Sequence, residues 1–133
     1  MKPSAHSHAC EVAFADTDAS GWMHFSNIFR YVEAAEHAFL KSRDVQVFDL
    51  KHGGWPRAQV SCNYQHPLRA GDRIVVLLEI ERIGSSSLVW NFEILNPAAE
   101  IAAAGSMTTV RVNADGRPQK ISTSVRAALE RGL

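Results

Sequence analysis

The chain has 133 residues, of which 46% are hydrophobic and 21% are charged, and its 14 basic and 14 acidic side chains give a formal net charge of zero. This length fits one domain with a real hydrophobic core, and the neutral balance argues against a nucleic-acid partner. No run of about 18 apolar residues is present to span a membrane, and no signal-peptide-like segment opens the chain. We therefore expect a cytoplasmic, single-domain protein over residues 1–133, with residues 1–7 as a loose tail.

The first predicted elements are a short strand at residues 9–14 and a long helix from Ser26 to about Ser42. Side chains alternate along a strand, so Val12 and Phe14 should face the same way. The helix has one apolar face, whose members recur at helical spacing: Ile28, Tyr31, Val32, Ala35, Ala38 and Phe39. The segment KHGGWP then predicts a loop, because Gly-Gly and Pro break both regular structures.

From residue 57 onward the hydrophobic period changes from helical to alternating. Four strands are predicted, at residues 57–64, 73–83, 87–95 and 101–113. Their short connections imply antiparallel pairing, and the apolar run at 73–83 is expected to be buried on both faces. A C-terminal helix over residues 121–133 has Ser122 as its predicted N-cap. One long helix against an antiparallel sheet indicates a two-layer α+β architecture.

Two cysteines, Cys10 and Cys62, lie on predicted strands. We interpret them as small buried hydrophobes in a reducing compartment, since a catalytic thiol would want a partner histidine and the sequence indicates none. Two histidines of the tail, His6 and His8, show no convincing metal-ligand spacing either. The sequence therefore predicts no metal site.

The segment FADTDASGWMHFSNIFRYVEAAE resembles the N-terminal signature of hot-dog-fold acyl-CoA thioesterases of the 4-hydroxybenzoyl-CoA thioesterase type. That signature has an Asp-x-Asp turn, a glycine, an apolar stretch, an asparagine and a helix with an acidic residue, here Asp16, Asp18, Gly21, Trp22, Met23, Asn27 and Glu33. The segments SCNYQHPLRAGDRI, RIGSSSLVWNFEI and AGSMTTVRVNADGRP are similar to the family's later strands and turns, so the resemblance covers residues 9–121. It implies an α+β hot-dog fold with an antiparallel five-stranded sheet wrapped around one long helix.

The Asp-x-Asp turn allows a structural and a catalytic interpretation. Aspartates favour turns and helix starts, where they accept hydrogen bonds from unpaired N–H groups. Thioester hydrolysis needs a group that attacks or activates water, and donors for the oxygen that becomes negative. The resemblance implies that Asp18 is the nucleophile or general base, that the backbone N–H of Phe25 is the oxyanion donor, and that Asp16 braces the turn. Gly21, Asn27 and Glu33 are expected to support the site.

Two positions depart from the family pattern. Many relatives have His or Asn where this chain has Phe25, and Tyr where it has Ile28. Any role of those side chains is therefore missing from this chain, whereas roles of backbone N–H groups are unaffected.

The resemblance further implies an acyl-CoA substrate and a homodimer or homotetramer with sites at the subunit interface. The partner would supply the loop at residues 54–56 and the strand start at Val60 and Ser61. Residues near the CoA phosphates would come from a hairpin and from the segment after the last strand: Arg82, Ser85, Ser86, Arg117 and Lys120. Trp22 and Met23 are better candidates for an acyl pocket than Phe25, Trp55 and Trp90, because aromatic residues commonly belong to the core. No cofactor is expected, since CoA is part of the substrate.

Three activities stay open at this point. The first is hydrolysis of acyl-CoA, the second is hydrolysis of thioesters on acyl carrier protein, and the third is non-catalytic binding of acyl-CoA by a dimer. A fold does not by itself decide among them. The acyl group, the choice between a covalent anhydride and water activation, and the choice between dimer and tetramer also stay open.

Overall fold

The computed structural model describes residues 6–131. The strands and helices, in chain order, are β1 (His6–Glu11), α1 (Ile28–Ser42), β2 (Phe48–Asp49), β3 (Gly53–Gly54), β4 (Arg57–Tyr64), β5 (Arg73–Ile83), β6 (Ser87–Leu95), β7 (Ile101–Val110) and α2 (Thr123–Glu130). Two short 3-10 turns, Phe14–Asp16 and Phe25–Asn27, lie between β1 and α1. The main sheet has five strands in the order β1-β5-β6-β7-β4, all antiparallel, while β2 and β3 form a small ribbon. The predicted α+β architecture is confirmed.

Helix α1 packs its apolar face on one side of the sheet. The Phe39 ring meets the Trp90 ring edge-on at 5.6 Å between centroids, and Phe29 meets Phe92 at 6.2 Å. Trp90 is fully buried, and its indole N–H donates to the Thr109 hydroxyl at 3.0 Å. Burial of such aromatic surface is the dominant stabilising contribution in a fold of this kind. Trp90 is therefore a core residue.

The first strand differs from the prediction at both of its ends. It begins at His6, so residues 6 and 7 belong to the sheet instead of the tail, while residues 1–5 lie outside the described residues. It ends at Glu11, and the 3-10 turn that follows breaks the expected alternation. Val12 is accordingly buried, but the Phe14 side chain is 83% exposed.

Strand β5 is buried on one face only, contrary to the prediction. Ile74, Val76 and Leu78 point into the core, whereas Val75 and Leu77 on the other face are half-buried. The reason is that α1 covers a single face of the sheet. Strand β4, at the edge, is mostly exposed for the related reason that its pairing within residues 6–131 is with β7 alone.

The remaining predictions differ from the structure mainly at element boundaries. The last strand ends at Val110, and α2 spans Thr123–Glu130, with the Ser122 hydroxyl accepting from the Val125 N–H at 3.2 Å as the predicted N-cap. Cys10 and Cys62 are unlinked and half-buried against the core, and this burial raises the pKa of both thiols. Among residues 6–131, no helix is long and apolar enough to cross a membrane.

Candidate active site

The segment between β1 and α1 folds back on itself around Asp18. The Asp18 N–H donates to the Trp22 carbonyl oxygen, and the Gly21 N–H donates to the Asp18 carbonyl oxygen, both at 3.0 Å. Gly21 has φ +82°, in the left-handed region that a glycine adopts without steric cost. The reversal returns the chain toward Asp18 and brings residues 22–25 alongside residues 16–18.

Asp18 is exposed, and both of its carboxylate oxygens have partners. Oδ1 accepts from the Ser20 backbone N–H at 2.9 Å and from the Ser20 hydroxyl at 2.5 Å. Oδ2 lies 3.2 Å from Nδ1 of His24. The hydrogen bonds from Ser20, followed by that from His24, hold the pKa of Asp18 below its usual value. Asp18 is therefore an accessible carboxylate that is ionised at neutral pH.

Asp16, by contrast, is only 4% exposed and is tied to helix α1. Its Oδ2 accepts from the Tyr31 hydroxyl at 2.5 Å. Its Oδ1 lies 2.9 Å from a guanidinium nitrogen of Arg30, as an ion pair. The Asn27 amide and the His24 backbone N–H both donate to the Asp16 carbonyl oxygen, at 3.0 and 2.9 Å. Asp16 therefore joins the Asp18 turn to the first turn of α1.

Phe25 is the first residue of the 3-10 turn that leads into α1. Backbone N–H groups in the first turn of a helix have no acceptor within the helix. The flanking N–H groups of His24 and Asn27 are taken by the carbonyl oxygens of Asp16 and His24. The Phe25 carbonyl accepts a hydrogen bond from the Tyr64 hydroxyl at 2.7 Å, which holds this turn against the end of β4.

A cavity of about 320 Å³ opens beside the turn. Its walls come from the turn, the start of α1, the end of β4, the segment before β5 and the start of β7. They include Trp22, Met23, Phe25, Tyr64, His66 and Leu68. Three sequence-predicted residues, Trp22, Met23 and Phe25, therefore share one largely apolar cavity close to Asp18. A cavity of this size and composition is typical of a small-molecule site.

The residues predicted to meet the CoA phosphates lie together at the other end of the sheet. Ser85 and Ser86 are in the β5–β6 hairpin, where their carbonyl oxygens accept from the N–H groups of Ile121 and Arg111. Arg82 is near the end of β5, and Arg117 and Lys120 are exposed on the segment after β7. The Asp18 turn lies just before the start of β5, where Trp22 forms a bridge with Arg69. Strand β5 rises roughly 3.3 Å per residue, so the β5–β6 hairpin is roughly 30 Å from that turn within one protomer.

Asp16, Gly21 and Asn27, three of the predicted supporting residues, are in the turn, whereas Glu33 and the residues expected from the partner lie elsewhere. Glu33 is half-exposed and paired with Arg57 at 3.3 Å, at the start of β4. Gly54 and Trp55 are buried within their own chain, where the Arg111 guanidinium lies 5.5 Å from the Trp55 ring centroid. Val60 and Ser61 are exposed on the middle of β4, and the Ser61 hydroxyl contacts that of Ser106 at 3.1 Å.

Sequence reasoning missed three residues that the structure brings to the site: Ser20, His24 and Tyr64. Ser20 carried a recognisable signal, because an aspartate commonly accepts from the backbone N–H two residues later. His24 and Tyr64 carried none, since the chain reversal at Gly21 and the tertiary position of β4 bring them there.

The sequence also matches a known family. Residues 12–129 match the family model of the Thioesterase-like superfamily. The chain belongs to this superfamily. A 1,4-dihydroxy-2-naphthoyl-CoA hydrolase from a Synechococcus strain is 28% identical over 114 residues, covering 80% of this chain and 76% of that protein. A putative acyl-CoA thioesterase from Bacillus subtilis is 27% identical over 105 residues, covering 77% and 76%.

Solved structures of thioesterases have the same fold as this superfamily member. A gentisyl-coenzyme A thioesterase superposes with a TM-score of 0.84 at 25% identity, covering 92% of this chain and 98% of that chain. A 1,4-dihydroxy-2-naphthoyl-CoA thioesterase from Synechocystis superposes with a TM-score of 0.85 at 19% identity, covering 94% and 95%. The expected hot-dog fold is thereby confirmed.

Proposed function

We propose that this protein is an acyl-CoA thioesterase, which converts an acyl-CoA and water into the free acid and CoA. The observation that carries the proposal is the accessible, ionised Asp18 beside an apolar cavity, in a chain whose family and fold are those of thioesterases. In this proposal water is the second substrate and no cofactor takes part. We also propose that the protein is cytoplasmic, which agrees with the unlinked thiols of Cys10 and Cys62.

Asp18 is the reacting group in this mechanism. Either its carboxylate attacks the thioester carbonyl and the resulting anhydride is hydrolysed, or it takes a proton from the attacking water. In both routes the carbonyl oxygen becomes negative before the C–S bond breaks and the thiolate leaves. The Phe25 N–H, in the first turn ahead of α1, is the proposed donor to that oxygen.

An aromatic acyl group is the best-supported choice of substrate. Five residues with ring side chains line the cavity, namely Trp22, His24, Phe25, Tyr64 and His66, and ring faces stack on aromatic ligands. Two of the related proteins are named for a naphthoyl-CoA and a gentisyl-CoA. A bulky aliphatic chain is the alternative, because Met23 and Leu68 supply aliphatic surface in the same cavity.

We further propose that the active form is a homodimer joined through β4, or a homotetramer made of two such dimers. This strand is eight residues long and lies at the edge of the sheet, with Val60 and Tyr64 exposed by 42% and 49%. A long exposed edge is usually covered in native proteins. A two-fold axis that pairs β4 with its own copy in antiparallel fashion would place the Tyr64 end of one protomer beside the Arg57 end of its partner.

That arrangement would also reunite the dispersed site residues. The Arg57 end of β4 pairs with the end of β7, which neighbours the β5–β6 hairpin. The partner's hairpin would then approach the cavity from which it is roughly 30 Å away in its own chain. The proposed CoA-contacting residues Arg82, Ser85, Ser86, Arg117 and Lys120 would thus act on the partner's substrate.

A hydrolysis screen tests the proposed function. Purified protein is incubated with aromatic and aliphatic acyl-CoAs, and released thiol is measured; we expect the largest kcat/KM for an aromatic ester. Asp18→Asn should lower kcat by at least about 100-fold, the scale of a lost acid–base group, with unchanged folding by circular dichroism. Asp16→Asn is the matched control, and its effect should come through stability because Asp16 is buried.

Three outcomes would contradict the proposal in distinguishable ways. Near-normal turnover by a folded Asp18→Asn variant would remove Asp18 from the chemistry. Hydrolysis confined to thioesters of acyl carrier protein would favour that carrier, and tight acyl-CoA binding without turnover would favour a non-catalytic binder. Light scattering at micromolar concentration gives the assembly, and an active monomer would contradict an interface-built site.

A further inference from the structure

Asp18 and His24 form a pair at the mouth of the cavity that the family resemblance did not assign. The imidazole Nδ1 lies 3.2 Å from Asp18 Oδ2, and the His24 ring also lines the cavity. The main chain of His24 is anchored beside the Asp18 turn, because the His24 N–H donates to the Asp16 carbonyl oxygen at 2.9 Å. On its other side the ring lies 4.8 Å from the Phe25 ring, between centroids.

We propose that His24 is a positioning residue for Asp18, which fixes the orientation of the carboxylate and makes its reactivity depend on the protonation of the imidazole. This inference rests on the proposed function, because it assigns a role in the same site. Ser20 holds Oδ1 and His24 holds Oδ2, so the carboxylate has a donor on each oxygen. Loss of the hydrogen bonds to either oxygen would let the carboxylate rotate about the Cβ–Cγ bond.

The protonation state of His24 changes the charge of the pair. A neutral imidazole that donates from Nδ1 leaves the pair with one negative charge, which stays on Asp18 and is available for attack or proton removal. An imidazolium cancels that charge and weakens the carboxylate in either role. Imidazole titrates between roughly pH 5 and 8 in proteins, so kcat/KM should rise with pH through that range.

Other titratable groups near this pair have to be separated from His24 in the test. Tyr64 at the end of β4 and His66 just after it line the same cavity. Behind the turn, Asp16 is paired with Arg30 and hydrogen-bonded to Tyr31 of α1. Among these groups His66 is the other imidazole, so it serves as the second variant.

The decisive experiment compares the kcat/KM profiles of matched histidine variants. His24→Asn retains a donor close to the Nδ1 position but cannot be protonated, whereas His24→Leu removes the donor as well. We expect His24→Asn to keep the high-pH rate within about threefold and to lose the near-neutral inflection. His24→Leu should lose the inflection and also about fivefold in rate at every pH, the scale of one lost hydrogen bond.

Matched controls decide whether the effect belongs to this pair. His52 contacts Asp49 at 3.0 Å in the β2–β3 ribbon, so His52→Asn removes a similar His–Asp pair elsewhere and should keep the inflection. His66→Asn should keep it too. Retention of the inflection by His24→Asn, or its loss in His66→Asn alone, would overturn the proposal.

A readout without substrate separates this inference from the proposed function. The imidazole ¹⁵N spectrum reports which ring nitrogen carries the proton. We expect the Nδ1–H form for His24 at high pH in the wild type, and loss of that preference in Asp18→Asn. An Nε2–H form in the wild type would overturn the pairing, even if the enzyme hydrolyses acyl-CoA, and an inactive enzyme with the Nδ1–H form would overturn only the function.

Discussion

The Tyr64 hydroxyl donates a hydrogen bond of 2.7 Å to the Phe25 carbonyl oxygen, across 39 positions of the sequence. It ties the last residue of edge strand β4 to the 3-10 turn that carries the proposed oxyanion donor. Strand β4 is also the proposed dimer edge, so the Tyr64 side chain links subunit assembly to the geometry of the Phe25 turn. Subunit pairing that orders β4 would therefore also order the donor.

Tyr64→Phe removes this hydrogen bond and leaves the aromatic ring in the cavity. We expect kcat to fall by about fivefold, the scale of a single lost hydrogen bond, while KM for the same ester changes little. Steady-state kinetics with one aromatic acyl-CoA measures both quantities, and light scattering checks that the assembly is unchanged. A rise in KM with normal kcat would show that Tyr64 binds the acyl group and does not position the turn.

Ser20→Ala should move the acidic limb of the kcat/KM profile to higher pH. Ser20 is the main reason that the pKa of Asp18 lies below its usual value, and the proposed chemistry needs Asp18 ionised. Without the Ser20 hydroxyl the carboxylate binds its proton more readily, so activity at low pH falls while activity near neutrality is nearly kept. Ser20→Thr retains a hydroxyl and should leave the acidic limb at its wild-type pH. An unchanged acidic limb in Ser20→Ala would exclude a role of the Ser20 hydroxyl in lowering the pKa of Asp18.

Glu36 is the buried charge of helix α1, and it should make stability depend on pH. It is 1% exposed and accepts from Arg57 at 2.6 Å, and burial raises the pKa of its carboxyl despite that pairing. A raised pKa contributes stability that is present below the unfolded-state value and is lost as pH rises through the folded-state value. The free energy of unfolding of the wild type minus that of Glu36→Gln should therefore be largest at acidic pH.

Urea unfolding of both proteins at several pH values measures that difference. Glu33→Gln is the matched control, since Glu33 also pairs with Arg57 but is half-exposed, and exposed pairs contribute little. A difference between wild type and Glu36→Gln that is constant with pH, or that grows toward alkaline pH, would contradict a raised pKa for Glu36.

Arg82, Arg117 and Lys120 should affect binding of the CoA phosphates and leave the chemical step unchanged. Exposed charge contacts are weak and screened by salt, so each Ala substitution should cost about 1 kcal/mol or less. The loss should appear in KM and not in kcat. Lys41→Ala, on the exposed side of α1, is the matched control for the removal of a surface cation.

A short N-acetylcysteamine thioester separates phosphate contacts from other effects. It has the acyl group and the thioester but no phosphates, so the three variants should hydrolyse it like the wild type. An equal loss on both substrates would mean that these residues act through folding or the acyl cavity.

Most of the fold could be predicted from the sequence, because the relevant signals are local. The apolar spacing of Ile28, Tyr31 and Val32 predicts helix α1, and Ser122 predicts the start of α2, since both depend on residues within one or two helical turns. Alternation and short connections likewise predict the antiparallel strands. Burial of the strand faces, by contrast, depends on tertiary packing. The apolar run of β5 predicts burial on both faces, but α1 covers only one of them.

The candidate site, like the fold, could be predicted from the sequence only in part. The Asp-x-Asp pattern before a helix identifies Asp16 and Asp18, and the resemblance assigns them different roles. Only the folded chain separates them physically, by burying Asp16 against Tyr31 and leaving Asp18 open to solvent. The contact of His24 with Asp18 and that of Tyr64 with Phe25 have no local signal, because a chain reversal and the position of the edge strand create them.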